Sequence, residues 1–298
     1  MSNVIQPLLA KKADYEKIQY PVLATPKLDG IRCLMVEGVA MSRTMKPIPN
    51  QFVQEELAGL NGLDGELMVK GDFNAVSSAI MSRDGEPDFF FHVFDMWDRA
   101  VEFDPDEPEK PFGYAGRLQY LEDEELDWHP RCEILKPVQI NNEEELEAYL
   151  DKCVNEGYEG IMLRDPTGKY KHGRSTVKEG ILLKVKRFFD DEATLVEIIE
   201  KMTNTNELER DELGHAKRSS AKDGQVPADT AGSCVMDWNG VQFKVGFGPG
   251  FTDAIKKEMW DNRENLYGRL YKFSYQELSR DGIPRFGKLL GERHKDDL

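Results

Sequence analysis

Between residues 20 and 187 the chain repeatedly returns to short apolar runs of strand character, at 20–25, 31–37, 63–69, 89–96, 133–138, 158–164 and 181–187. Helix-like stretches lie between them. PNQFVQEELAGL (49–60) has the apolar spacing of a short helix, and Gly59 with Asn61-Gly62 ends it. FNAVSSAIMS (73–82) and NNEEELEAYLDKCVNEG (141–157) read the same way, the last with Asn142 before acidic residues, as an N-cap and the helix dipole favour. Such a mixture predicts an α+β body with mainly antiparallel sheets.

After Phe188 the character changes. FFDDEATLVEIIE reads as a strand, and residues 202–232 then lose apolar periodicity. About 30 polar residues are too many for an ordinary connection, so this is expected to be a functional flap or a disordered insert. SCVMDWNGVQFKVGFG reads as two strands around the hairpin signal Asn239-Gly240. TDAIKKEMWDNRENLYG reads as one short helix and GRLYKFSYQELS as another strand. Several strands and one helix in about 110 residues fit a small OB-type β-barrel. The expected domains are 1–188 and 189–298.

Nothing in 298 residues approaches the roughly 20 apolar residues that span a bilayer. MSNVIQPLLAKKADYEK lacks a basic start followed by a long apolar stretch, so no secretory signal is expected. Cys33, Cys132, Cys153 and Cys234 form no CxxC pair, which argues against a zinc site or a disulfide framework and for a soluble, intracellular protein. The net charge of −16 speaks against a polyanionic partner. The charge is uneven, however. Pro166–Phe188 carries Lys169, Lys171, Arg174, Lys178, Lys184, Lys186 and Arg187 against the single acid Glu179. Because fields are local under a screening length of about 8–10 Å, a basic face on an acidic body still binds phosphates.

Lys27, in ATPKLDGIR, stands between two strand-like runs, where an ammonium group is costly unless it is paired or used. Glu66 follows the turn in DGELM, and Glu159 stands at a strand entry in EGYEGIMLRD. Two such carboxylates beside a strand lysine suggest a divalent-metal site, since hard cations take carboxylate and phosphate oxygens. In LLKVKRF, Lys184 and Lys186 share one strand face. That face is either a lysine-protected edge or one that holds a phosphate. In DFFFHVFDMWD most rings belong to a core, and one is free to stack on a purine. The five histidines show no triad or ligand spacing, and there is no phosphate loop of either glycine-rich type. A bound nucleotide therefore requires lysine chemistry, in which an amine of depressed pKa attacks phosphorus.

These residues resemble the nucleotidyltransferases that form a lysyl–nucleotide intermediate: ATP-dependent DNA ligases, RNA ligases and capping guanylyltransferases. Lys27-Leu28-Asp29-Gly30-Ile31-Arg32 is similar to the family's K-x-D-G-x-R element. Asp64-Gly65-Glu66, Phe91-His92-Val93-Phe94-Asp95, Glu159-Gly160 and Lys184-Val185-Lys186 are similar to the next four, in order. LATPKLDGIR, SRTMKPIPN and GKYKHGRSTVKEGILLKVK resemble the small Chlorella virus type of DNA ligase.

The resemblance implies an antiparallel-sheet nucleotidyltransferase domain followed by an OB-type barrel, sealing nicks in duplex DNA with ATP and Mg²⁺ or Mn²⁺. It implies Lys27 as nucleophile, with Asp29 beside it in the same element. Arg32 and Glu66 are expected at the ribose, and Phe94 with Thr25 at adenine. Lys184 and Lys186 are expected at the AMP phosphate, and Glu66 and Glu159 at the metal. It implies Ser42, Arg43 and Arg174 at the 5′-phosphate of the nick and Phe73 near the 3′-terminal sugar. The 202–232 insert then becomes a latch around DNA, with Lys217, Arg218 and Lys222 as its basic part. Two departures stand out. Arg285-Phe286-Gly287-Lys288 replaces R-x-D-K, with Arg285 the candidate that orients pyrophosphate, and Met45 stands where the viral type has an aromatic residue. A monomer is expected. The competing readings are an RNA-end-modifying enzyme and a non-catalytic nucleic-acid-binding module.

Overall fold

The structure is a computed structural model that describes residues 5–70, 73–98, 112–123, 129–210, 216–279 and 281–293. The chain divides into two compact units, residues 1–186 and 187–298.

Two five-stranded sheets build the first unit. One runs in the order Lys11–Lys12, Leu182–Val185, Ile161–Arg164, Val22–Pro26, Val138–Ile140. The other runs Val39–Ser42, Ile31–Val36, Leu63–Val69, Phe89–Met96, Cys132–Ile134. Only the outermost pairings, Lys11–Lys12 on Leu182–Val185 and Cys132–Ile134 on Phe89–Met96, are parallel within these sheets. A two-residue strand, Leu8–Leu9, runs parallel to Gly173–Arg174. Alternation along Phe89–Met96 sends Phe89, Phe91 and Val93 into the core of the second sheet, where Val53, Leu57, Val76 and Ile80 also pack. Beneath the first sheet, helix Glu143–Asn155 buries Leu146, Leu150 and Cys153. Its start is fixed as the sequence suggests: the Asn142 side chain accepts from the Glu145 N–H at 2.9 Å, and three glutamates fill the first turn.

Three elements differ from the sequence reading. The apolar run 133–138 becomes two strands in different sheets, because Pro137 cannot donate to a ladder and ends the first. Helix Tyr114–Asp123 was not anticipated, since one of its buried positions is held by a charged residue, Arg117, and this hides the apolar stripe. Residues 253–268 form two helices, Asp253–Asp261 and Arg263–Leu266, rather than one.

The second unit is a closed five-stranded barrel in the order Phe189–Asn204, Gln225–Trp238, Val241–Phe247, Lys288–Glu292, Leu270–Tyr275. Asn239 and Gly240 turn its hairpin with φ of 53° and 84°, the left-handed pair a two-residue turn requires. Leu195, Met236, Phe243, Phe273 and Leu289 fill the barrel. The described residues of the polar stretch 202–232 are largely strand. Strands Phe189–Asn204 and Gln225–Trp238 carry on past the barrel, pairing Met202 with Pro227 and Asn204 with Gln225. Leu208–Arg210 then pairs with Ala216–Arg218. In this ribbon Leu208–Arg210 and Ala216–Arg218 are exposed at every position, so burial imposes no alternation of the kind that marks ordinary strands.

Candidate active site

Residues Lys27 to Gly30 join the end of strand Val22–Pro26 in one sheet to the start of strand Ile31–Val36 in the other. The Lys27 N–H donates to the Gly160 carbonyl at 2.9 Å, which ties this crossing to the entry of strand Ile161–Arg164. Glycine is required at both places. A Cβ at Gly30 would lie 2.4 Å from the Leu67 carbonyl oxygen. Gly160 has a φ of 148°, and a Cβ there would lie 2.2 Å from the Val185 carbonyl oxygen.

The Lys27 amine is a placed charge rather than a solvated one. It pairs with one oxygen of the buried Glu159 carboxylate, whose other oxygen pairs with Lys186. Glu66 is also close: burial pushes its carboxyl up to about 7, opposed by the attraction of Arg32 and Lys27. Asp29 lies in the same crossing and among the described residues forms no ion pair.

Thr25, Met162 and Lys184 stand in register across three adjacent strands and line one cleft with Lys27, Glu66, Phe94, Arg43 and Arg174. Burial lowers the pKa of Lys184, and the positive charges of Lys27, Arg174 and Arg43 lower it further. Cations gathered this way in a cleft repel one another until an anion joins them, which favours the phosphate reading of this strand face over the protected edge. Lys186, on the same face, pairs with Glu159.

Only the register separates Phe94 from the other aromatic residues of its strand. Asp64 pairs with Asp95 and Gly65 with Val93, so Phe94 is the extra residue of a β-bulge. The bulge turns its ring out of the core sequence of Phe89, Phe91 and Val93 and into the cleft. Two guanidinium groups attend the ring, Arg32 at 4.6 Å and Arg164 at 5.0 Å from its centroid.

Residues that the sequence reading gave no role hold this arrangement in place. Arg32 donates to both oxygens of the fully buried Asp64, each at 2.6 Å, and to the Leu8 carbonyl at 3.1 Å. Tyr170 donates to Asp64 at 2.7 Å. Asp95, fully buried, accepts from Arg117 at 2.7 and 3.2 Å and from Arg164 at 3.2 Å. The signal was present: Asp64, Asp95 and Arg164 are charges inside apolar strand runs, where they persist only when paired.

Ser42 and Arg43 open a tight turn in which the Ser42 N–H donates to Lys46 at 2.8 Å and Met45 takes a φ of 58°. Arg174 donates to the Ala10 carbonyl at 2.7 Å. Phe73 begins helix Phe73–Ile80, and its side chain lies outside the described part of the structure. Lys217, Arg218 and Arg285 belong to the second unit. Lys217 stands opposite Glu209 in the ribbon, Arg218 donates to the Asn206 carbonyl, and Arg285 pairs with Glu277 at 2.7 Å.

The donor set fits a divalent cation of the magnesium type. Among the described residues no group of three or more metal-ligating side chains exists. Two carboxylates beside a lysine cluster suit an ion that completes its shell with water and substrate phosphate oxygens. Among the described residues no helix is long and apolar enough to cross a membrane.

Comparison with known proteins places this geometry. Residues 7–186 match the ATP dependent DNA ligase domain and residues 225–293 the DNA ligase OB-like domain. A crystal structure of Chlorella virus DNA ligase-adenylate is 33% identical, covers 97% of this chain and 100% of that one, and has a TM-score of 0.53. A second crystal structure of the same ligase-adenylate is 33% identical over 97% and 98% of the two chains, with a TM-score of 0.52. A structure of the Lig E DNA ligases shares the fold with a TM-score of 0.70 at 24% identity, over 97% of this chain and 100% of that one. No curated protein sequence matches. The matched domains and the near full-length likeness to a ligase-adenylate show that this chain belongs to the ATP-dependent DNA ligase family, whose members use ATP with a divalent metal, typically Mg²⁺, and work through a lysyl-AMP intermediate.

Proposed function

We propose that Lys27 is the residue that becomes adenylated and that the cleft around it carries out all three steps of sealing a nick between a 5′-phosphate and a 3′-hydroxyl. The observation that carries this reading is the position of the Lys27 amine, paired with Glu159 in a cleft that is also lined by Glu66, Phe94, Lys184, Arg43 and Arg174.

In the first step the deprotonated Lys27 Nζ attacks the α-phosphorus of ATP. An N–P bond forms, the α–β P–O bond breaks, and pyrophosphate leaves. A 5′-phosphate oxygen of the nick then attacks the same phosphorus and displaces the lysine. Finally the 3′-hydroxyl attacks the 5′-phosphorus and AMP leaves. Within this scheme Phe94 stacks on adenine with Thr25 at its edge, while Arg32 and Glu66 hold the ribose. Asp29, in the same element as Lys27, is a catalytic candidate. Lys184 and Lys186 neutralise the AMP phosphate, and Ser42, Arg43 and Arg174 take the 5′-phosphate, where a guanidinium fork matches phosphate geometry. Glu66 and Glu159 would hold Mg²⁺, whose chemistry is to neutralise charge on the phosphates.

Phe73 is assigned to the 3′-terminal sugar and Arg285 to pyrophosphate. Lys217 and Arg218 are assigned to duplex contacts made by the ribbon arm, which acts as the latch. Exposure of the arm on both faces supports this last role, since such a ribbon has surface to offer a partner. The protein acts as a monomer, and its four buried, free thiols support an intracellular setting.

The decisive assay is sealing of a singly nicked duplex with ATP and Mg²⁺. Lys27→Ala should abolish sealing with ATP yet still seal a nick supplied already adenylated. An adduct formed with labelled GTP alone would remove the DNA-ligase reading in favour of an RNA-end-modifying enzyme.

A further inference from the structure

One short segment touches both halves of the cleft. Leu8, almost fully buried, has both of its backbone polar groups taken by side chains, one of them the cleft-lining Arg32 and the other the buried Tyr170. Its N–H donates to the Tyr170 hydroxyl at 3.2 Å, and its carbonyl accepts from Arg32 at 3.1 Å. Tyr170, itself buried, donates its hydroxyl hydrogen bond to Asp64 at 2.7 Å, the same carboxylate that holds the Arg32 fork. The four groups therefore close a ring: Arg32, Asp64, Tyr170 and the Leu8 backbone. Immediately downstream, Leu9 lies in register with Arg174, accepts from the Ser175 N–H at 2.8 Å, and leads to Ala10, whose carbonyl receives Arg174 at 2.7 Å.

We propose that Tyr170 is a positioning residue whose hydroxyl, through Asp64 and the Leu8–Ala10 segment, sets Arg32 and Arg174 in one frame, so that the nucleotide contact and the phosphate contact are aligned together. The inference rests on the roles assigned above to those two arginines. A carboxylate can hold a guanidinium without help. Tyr170 is, beside Arg32, the second link in this ring that touches both the carboxylate and the backbone of the segment, and the one that holds the Leu8 N–H. Without the hydroxyl, the buried Leu8 N–H has no acceptor in the ring and Asp64 loses a donor, so Arg32 is left as the segment's one remaining tie to the ring.

The test is Tyr170→Phe, which removes one oxygen and preserves volume. Two single-turnover rates are measured at a temperature where circular dichroism shows the variant folded: formation of lysyl-AMP from ATP, and sealing of a pre-adenylated nick. Both should fall about 10-fold, the effect of leaving one buried hydrogen-bonding group unpaired. A lower melting temperature with either rate unchanged overturns the proposal, because a purely structural hydroxyl affects only the fraction folded. Arg32→Ala and Arg174→Ala run alongside; if these leave their own steps intact, the role assignments fail irrespective of Tyr170. Should Tyr170→Phe not fold, hydrogen exchange on the wild-type enzyme decides. Adenylation should slow exchange of the Ser175 N–H several-fold, and unchanged exchange there overturns the proposal.

Discussion

Replacing Asp95 by asparagine should unfold the first unit far more readily than its near-identical volume suggests. The aspartate is fully buried between Arg117 and Arg164, themselves 1% and 3% exposed. It receives three guanidinium N–H groups and the Met96 N–H at 2.9 Å. Asparagine keeps one acceptor oxygen but presents an NH₂ to a guanidinium, so a donor faces a donor. It also leaves two buried positive charges with no counter-charge. Breaking a buried ion pair from one side costs roughly 3–5 kcal/mol, and the shared carboxylate places this case at the upper end. For a unit of this size that corresponds to a melting temperature lower by about 10–15 °C. Urea denaturation is the direct assay, read as a lower midpoint at unchanged slope. Asp190→Asn, at an exposed pair with Lys272 2.8 Å away, is the control and should change stability by less than about 1 kcal/mol. If Asp95→Asn costs no more than the control, the buried network does not hold the sheets as described and the seat of Arg164 against the Phe94 ring loses its basis.

Phe94→Ala should raise the ATP concentration needed for adenylation about 10- to 100-fold, the worth of one base–aromatic stack, beside a loss of stability smaller than that of a ring inside the core cluster. Phe91→Ala, in the core of the same strand, should instead cost about 3–5 kcal/mol of folding free energy. Without divalent metal, stability should fall as pH rises from the ordinary glutamate range to about 7. The folded state holds the Glu66 proton over that window while the unfolded chain has released it; given its partial exposure the loss is roughly 1–2 kcal/mol, and Glu66→Gln should remove it in pH-dependent melts. Affinity for nicked duplex should fall steeply with salt, and Arg43→Ala or Arg174→Ala should each flatten the logarithmic slope by about one; an unchanged slope would mean that these side chains touch no phosphate. Gly160→Ala should abolish adenylation, measured with labelled ATP, because its Cβ would collide with the Val185 carbonyl and displace the partner of the Lys27 N–H.

The sequence by itself determined the local elements and the chemistry-bearing motifs. Strand alternation, the Asn142 cap and the Asn239-Gly240 turn depend on neighbours a few residues away, so they are written in the order of the chain. Lys27, Glu66, Glu159, Lys184 and Lys186 were legible because each is a charge where an isolated charge is costly, and because their motifs resemble a known family in order. The extent of the ribbon arm was not legible, since burial is what writes alternation into a strand and the arm's strands Leu208–Arg210 and Ala216–Arg218 are exposed. Only the tertiary structure decided which of the aromatic residues in DFFFHVFDMWD leaves the core, because that depends on a register shift against a strand more than twenty residues away. It alone joined Arg32 to Asp64, Asp95 to Arg117 and Arg164, and Tyr170 to Leu8. Those contacts span from 22 to 162 residues of chain, and no periodicity encodes the partner of a buried charge; it is set by where the sheets bring two strands together.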